Sequence, residues 1–81
     1  MHDIITSTFA DIFGLDEASI TDDMTPETVE LWDSLNHLRL ITALEEAFGF
    51  RLSMSDIEYM MGSVARVREV VDRHAAASAV L

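Results

Sequence analysis

Ser34 stands in the run Leu31-Trp32-Asp33-Ser34-Leu35-Asn36-His37-Leu38-Arg39-Leu40, where a polar stretch gives way to a periodically apolar one. Its hydroxyl has three readings. The first is nucleophilic catalysis, with His37 three residues on and therefore on the same side of a helix. No glycine-rich elbow or oxyanion hole accompanies the pair, so the parts of a serine hydrolase are missing. The second is a hydroxyl to which the protein's chemistry is attached. The third is structural: Asp or Ser ahead of an apolar-periodic run is how helices ordinarily begin, and Asp33 is the better cap of the two. Three common residues in a row do not choose between them.

Other chemistry is poorly provided for. Asp22-Asp23-Met24-Thr25-Pro26-Glu27 has the acidity of a calcium loop but lacks its alternate-position ligands and the glycine at the sixth place. Diffuse attraction of cations is the better expectation there. His2, His37 and His74 have no metal-ligand spacing. Cysteine is absent, which removes thiolate metal sites, cysteine nucleophiles and a disulfide framework.

The elements that must position Ser34 read as helices. Ile4, Ile5, Phe9, Ile12 and Phe13 recur with helical period and predict a first helix over residues 3 to 14, stopped near Gly14. A long loop follows, containing Pro26, with seven acids and no base from Asp16 to Asp33. Long loops are uncommon in small domains and are often functional. From Ser34 a second helix is predicted, with Leu35, Leu38, Ile41, Leu44 and Phe48 on its core face and Gly49 at its end. Ser55 and Glu58 match a capping box for a short third helix through Met61, closed by Gly62. Ser63 then caps a fourth, carrying Val64, Val67, Val70 and Val71, with Arg73 and His74 near its end and a frayed tail from Ala75. The predicted fold is all-α: a small antiparallel four-helix bundle, three main helices plus the short third, with the long loop between helices 1 and 2. The 81 residues are read as a single domain with an ordered core over about 3–75.

Fifteen acids stand against five arginines and no lysine, a net charge of -10, which disfavours nucleic acid and anionic membranes as partners and favours basic proteins. Residues 1 to 62 hold thirteen of the acids and two of the arginines, so the acidity lies in the part that contains Ser34. The N-terminal residues lack a leader pattern and no run has membrane-spanning length, so a soluble, cytoplasmic monomer is expected.

The order of these features resembles the acyl carrier protein family over almost the entire chain. The matching parts are the apolar first helix, the long acidic loop and Asp33-Ser34-Leu35 at the start of the second helix. "ALEEAFGFRL" at its end, the acidic short third helix and the valine-rich fourth complete the match. The resemblance implies a helical bundle that is a carrier and not an enzyme, with 4'-phosphopantetheine from coenzyme A esterified to Ser34 and Asp33 and Leu35 as motif neighbours. The thiol-ended arm would hold acyl groups as thioesters and shuttle them between enzymes. Implied partners are a phosphopantetheinyl transferase, an acyl-loading acyltransferase or ligase, and a ketosynthase or other acyl-processing enzyme with a basic docking patch. The implied docking residues are Asn36, His37, Arg39, Glu45, Glu46, Asp56 and Glu58.

Members serving fatty acid synthesis usually place an acid directly after the motif and another three positions later. Here Asn36 and Arg39 stand there, His37 is a third non-acidic group beside them, and Trp32 replaces a small residue. These departures point to polyketide or related specialised biosynthesis. Asp33 favours acyl over peptidyl cargo, because peptidyl carriers usually place glycines and a histidine before the serine. Aminoacyl carriers, including D-alanyl carriers, stay open, as does an acidic helical adaptor with no covalent cofactor. Trp32 reads as core or hinge packing, or else as an exposed anchor. Met54, Met60 and Met61 with Ile57 read as core, or else as an apolar cleft for an acyl chain. On this reading Leu35 and Leu38 hold the second helix to the core, while Asn36, His37 and Arg39 face partners.

Overall fold

Helix α1 (Ile4–Phe13) forms on an apolar stripe in which Ile5, Phe9 and Phe13 recur every fourth residue and are buried. The computed structural model describes residues 4–79, with side chains through Ala75, so His2, Asp3, Val80 and Leu81 lie outside it. Gly14 ends α1 in the left-handed region at φ 65°, and the Leu15 N–H reaches back to the Ala10 carbonyl at 3.0 Å. That backbone conformation is why a glycine stands there.

The loop from Leu15 to Asp33 has no sustained period, yet it is fixed along its length. It makes one 3-10 turn (Glu17–Ser19) and buries Val29 and Trp32, with Leu15, Ile20 and Met24 packed against the core. Trp32 lies edge-on to Phe9, with ring centroids 5.1 Å apart, and tilted on Phe13 at 5.8 Å. Of its two readings the packing one holds. Midway, the carbonyls of Asp22 and Met24 accept the N–H groups of Ala65 and Val64, both at 3.0 Å. The loop therefore satisfies donors at the start of the fourth helix that would otherwise be orphaned. Arg68 adds a side-chain tie, to Asp22 Oδ1 at 2.7 Å and to Thr6 Oγ1 at 2.6 Å, joining that helix, the loop and α1.

Helix α2 (Ser34–Phe48) begins at Asp33 and ends at Gly49, which adopts φ 75°. Its core face is rotated from the predicted one. His37, Leu40, Ile41 and Leu44 are buried, whereas Leu35 and Leu38 are 61% and 55% exposed. The expectation that those two leucines hold α2 to the core is corrected. Spacings of three repeated along a helix of 3.6 residues per turn lag by about 60° at each step. Leu35 and Leu44 thus fall on opposite sides.

Helix α3 (Met54–Met60) starts earlier than its predicted capping box. Ser53 is the cap, its hydroxyl accepting the Asp56 N–H at 3.1 Å, and Ser55 lies inside the helix. An equally good serine two residues upstream, with Asp56 in the first turn, gives the helix a longer start. Met60 is fully buried while Met54 is 71% exposed, so the methionines do not converge on a cleft.

Helix α4 (Val64–Ala79) is capped by Ser63, whose hydroxyl accepts the Arg66 N–H at 3.2 Å, and it buries Val64, Val67, Val70 and Val71. It runs to Ala79 through an alanine-rich stretch, alanine being the best helix former. Arg73 and His74 therefore lie inside the helix, where they meet Asp56 of α3, and they do not complement its C-terminal end. The result is an all-α bundle of four helices, without a strand among the described residues.

Candidate functional site

The start of α2 is built by side chains that bond across it. Asp33 has extended backbone, and its carboxylate accepts the Asn36 N–H at 2.9 Å while its carbonyl accepts the His37 N–H at 2.8 Å. The Asn36 side-chain amide donates back to the Leu31 carbonyl at 2.7 Å, closing the loop end onto the first turn. Ser34 is the first helical residue and is exposed. Its hydroxyl has no hydrogen-bond partner among the described residues. The N–H groups of Ser34 and Leu35 belong to the first turn, where no carbonyl four residues back continues the helix, and they open to solvent at the positive end of the helix dipole. An anionic ester on Ser34 would be compatible with those donors.

Beneath this turn lies a bonded chain that sequence reading missed. The Trp32 indole N–H donates to His37 Nδ1 at 3.0 Å, and His37 Nε2 lies 2.8 Å from the Ile57 carbonyl. An indole N–H can only donate, so Nδ1 must be the unprotonated nitrogen and Nε2–H donates to Ile57. His37 is thus a neutral imidazole, 3% exposed. Burial pushes its pKa below the usual histidine value, and the Ile57 carbonyl opposes this in part. One expectation is corrected: His37 is not a surface partner residue, because the rotated face of α2 turns it inward. Both of its ring nitrogens are engaged, which agrees with the rejection of His37 as a base for Ser34. The available signal was the pairing of Trp32 with a histidine five residues on, which spans a helix start.

The remaining candidate residues separate by exposure. Arg39 and Glu46 are exposed and border a shallow groove between α1 and α2, whose apolar lining comes from Ile12, Leu35, Leu38 and Ala43. Leu31 is 51% exposed on the other side of Ser34. Glu45 is half-buried, and its Oε2 accepts the Leu52 N–H at 2.9 Å, which holds the connector after α2. Asp56 is drawn into α4, to Arg73 at 3.1 Å and His74 at 2.9 Å. The His74 hydrogen bond in particular holds its carboxyl below the usual aspartate range. Glu58 is exposed. Asn36, half-buried, serves the loop end as described.

Among the described residues no group of histidine, cysteine and carboxylate side chains is arranged to hold a metal ion. No helix among them is long and apolar enough to cross a membrane. A family model described as a phosphopantetheine attachment site matches residues 3–72. A comparison with curated proteins gives no match.

Proposed function

The chain belongs to the phosphopantetheine attachment-site family of covalent carriers, with 4'-phosphopantetheine as its cofactor, and from that premise we propose Ser34 as the residue that bears it. The observation that supports this assignment is the exposed, unpartnered hydroxyl at the first residue of α2, flanked by Trp32, Asp33, Asn36 and His37, whose side chains bond one another or the backbone across it. In the loading step Ser34 Oγ forms a bond to the phosphorus of coenzyme A that bears the pantetheine. The bond from that phosphorus to 3',5'-ADP breaks, and the serine proton passes to a base of the transferase. The nearby N–H groups of Ser34 and Leu35 then face the new phosphodiester. The attached arm supplies the thiol that holds an acyl group as a thioester; the chain contributes position and a surface for recognition.

That surface supports the finer part of the reading. Carrier domains of this family meet modifying and acyl-processing enzymes. Here the exposed side of α2 next to Ser34 carries Leu35, Leu38 and Arg39, and Glu46 follows at its far end. An exposed apolar surface bordered by a cation favours enzymes of polyketide or related specialised biosynthesis: an acyl-loading acyltransferase or ligase, and a ketosynthase or similar processing enzyme. Glu46 and Glu58, with the loop acids, supply the negative rim for basic patches on those enzymes. We read the chain as a cytoplasmic, monomeric single carrier domain.

Intact-mass spectrometry after incubation with coenzyme A and a broad phosphopantetheinyl transferase tests the assignment. One added phosphopantetheine is expected, and Ser34→Ala should abolish it. A wild-type protein left unmodified while a control carrier is loaded would refute it. The mass of the loaded protein isolated from its producer tests the acyl cargo.

A further inference from the structure

We infer that Trp32 and His37 are positioning residues for the loading of Ser34, an inference that rests on Ser34 being the attachment residue. Three side-chain bonds cross the segment from Leu31 to His37: Asn36 to the Leu31 carbonyl, Asp33 to the Asn36 N–H, and Trp32 to His37. Ser34 lies inside all three and takes part in none. The Trp32 to His37 bond is the buried one, and it is anchored at both ends. Phe9 and Phe13 of α1 fix the indole, and the Ile57 carbonyl of α3 fixes the imidazole. The backbone carrying Ser34 is thereby indexed to two other helices, while its hydroxyl is left for another enzyme.

Core packing alone does not account for a histidine here. A buried imidazole loses hydration that a leucine or phenylalanine would not, so apolar residues fill such a position at no polar penalty. What the imidazole adds is direction: one nitrogen must face Trp32 and the other Ile57, which admits one placement of the first turn. A transferase that meets a preset hydroxyl need not order it during the reaction, and misplacement by about 1 Å can lower a rate by about a hundredfold.

The test is the rate of holo-protein formation with coenzyme A and a phosphopantetheinyl transferase, for wild type, Trp32→Phe, His37→Phe, His37→Gln and the double variant Trp32→Phe/His37→Leu. Trp32 is the only tryptophan, so its indole proton resonance in an NMR spectrum reports the bond directly. Replacing both partners of a buried hydrogen bond by apolar groups can be nearly neutral for stability. The double variant therefore keeps the question answerable if a single variant fails to fold. Expected is a fall of about tenfold in kcat/KM for each apolar variant, carried by kcat with KM for the carrier little changed, and partial recovery in His37→Gln, whose amide can both accept and donate. A folded double variant loaded at the wild-type rate would overturn the inference and reduce the bonded chain to core stabilisation. Failure of the Ser34 assignment looks different, since wild type would then take up no phosphopantetheine or Ser34→Ala would still take it up.

Discussion

Replacing Trp32 by alanine will remove most of the stability of this fold. The ring is 2% exposed and lies against Phe9 and Phe13, so its loss opens a cavity between α1 and the end of the loop, under the first turn of α2. Removing a buried tryptophan or phenylalanine in this way costs about 3–5 kcal/mol. The donor to His37 Nδ1 disappears as well. A buried acceptor left without a partner adds about 1–3 kcal/mol, for a total of about 4–8 kcal/mol. Folded domains retain about 0.05–0.15 kcal/mol per residue, which for a chain of this length is about 4–12 kcal/mol. The central values, about 6 of about 8 kcal/mol, leave the variant a small margin of stability in buffer. Trp32→Phe keeps most of the apolar contact and loses the donor, so it should remain folded and lose about 2 kcal/mol. Urea titrations followed by far-ultraviolet circular dichroism measure both, since the single tryptophan is no longer there to fluoresce. A loss below about 1 kcal/mol in Trp32→Ala, the range of an ordinary surface substitution, would refute the reasoning and restore the exposed-anchor reading of this residue.

Four further outcomes follow from individual residues. Because burial lowers the His37 pKa, the unfolded chain binds a proton at this site more readily than the folded one. Stability should therefore decline as pH falls below about 6.5, the unperturbed histidine value, until the folded-state pKa is passed, and melting curves of His37→Leu should lose that part of the profile. Asp56, with its pKa lowered chiefly by the His74 hydrogen bond, should add a second decline at more acidic pH that Asp56→Asn removes. Glu45→Ala should cost about 1 kcal/mol in urea titrations, because it strands the Leu52 N–H, whereas Glu46→Ala should stay within about 0.5 kcal/mol. Arg39→Glu should leave the melting temperature unchanged but slow turnover by the chain's own acyl-processing partner several-fold, with the deficit shrinking as salt is raised.

Much of the fold was legible because local rules and tertiary packing agree. Asp33 and Ser63 cap the helices assigned to them, Gly49 ends α2, and the four valines of α4 are all buried. Readings failed where two local solutions were nearly equal. Ser53 and Ser55 both offer a hydroxyl near the start of α3, and it is Ser53 that caps the helix, with Asp56 in the first turn. The face of α2 was misjudged because its leucines are common to both sides of the helix, and only the volume offered by α1 and the loop decides which side is covered. Leu40, Ile41 and Leu44 fill it, leaving Leu35 and Leu38 outside. The loop was the least legible part. Its order comes from contacts distant in sequence, such as Arg68 to Asp22 and Thr6, which no local period records.

The same distinction between engaged and unengaged groups explains how so small a domain can serve as a carrier. Of its five arginines, Arg68 and Arg73 pair with Asp22 and Asp56, and Arg66 lies over the Tyr59 ring at 4.7 Å. Those three belong to α4, and their charge is used to hold the bundle together. Arg39 and Arg51 have no such partner among the described residues, and Arg39 lies on the exposed side of the helix that presents Ser34. The arginine contacts that tie the bundle are thus gathered on α4, with partners on α1, the loop and α3, while the exposed side of the beginning of α2 offers an unpaired hydroxyl, two exposed leucines and an unpaired cation. Neutralising Arg68 should therefore loosen the bundle without altering which enzymes recognise it, and neutralising Arg39 should do the reverse. A carrier in which both substitutions changed stability and recognition together would not have its folding and docking surfaces divided in this way.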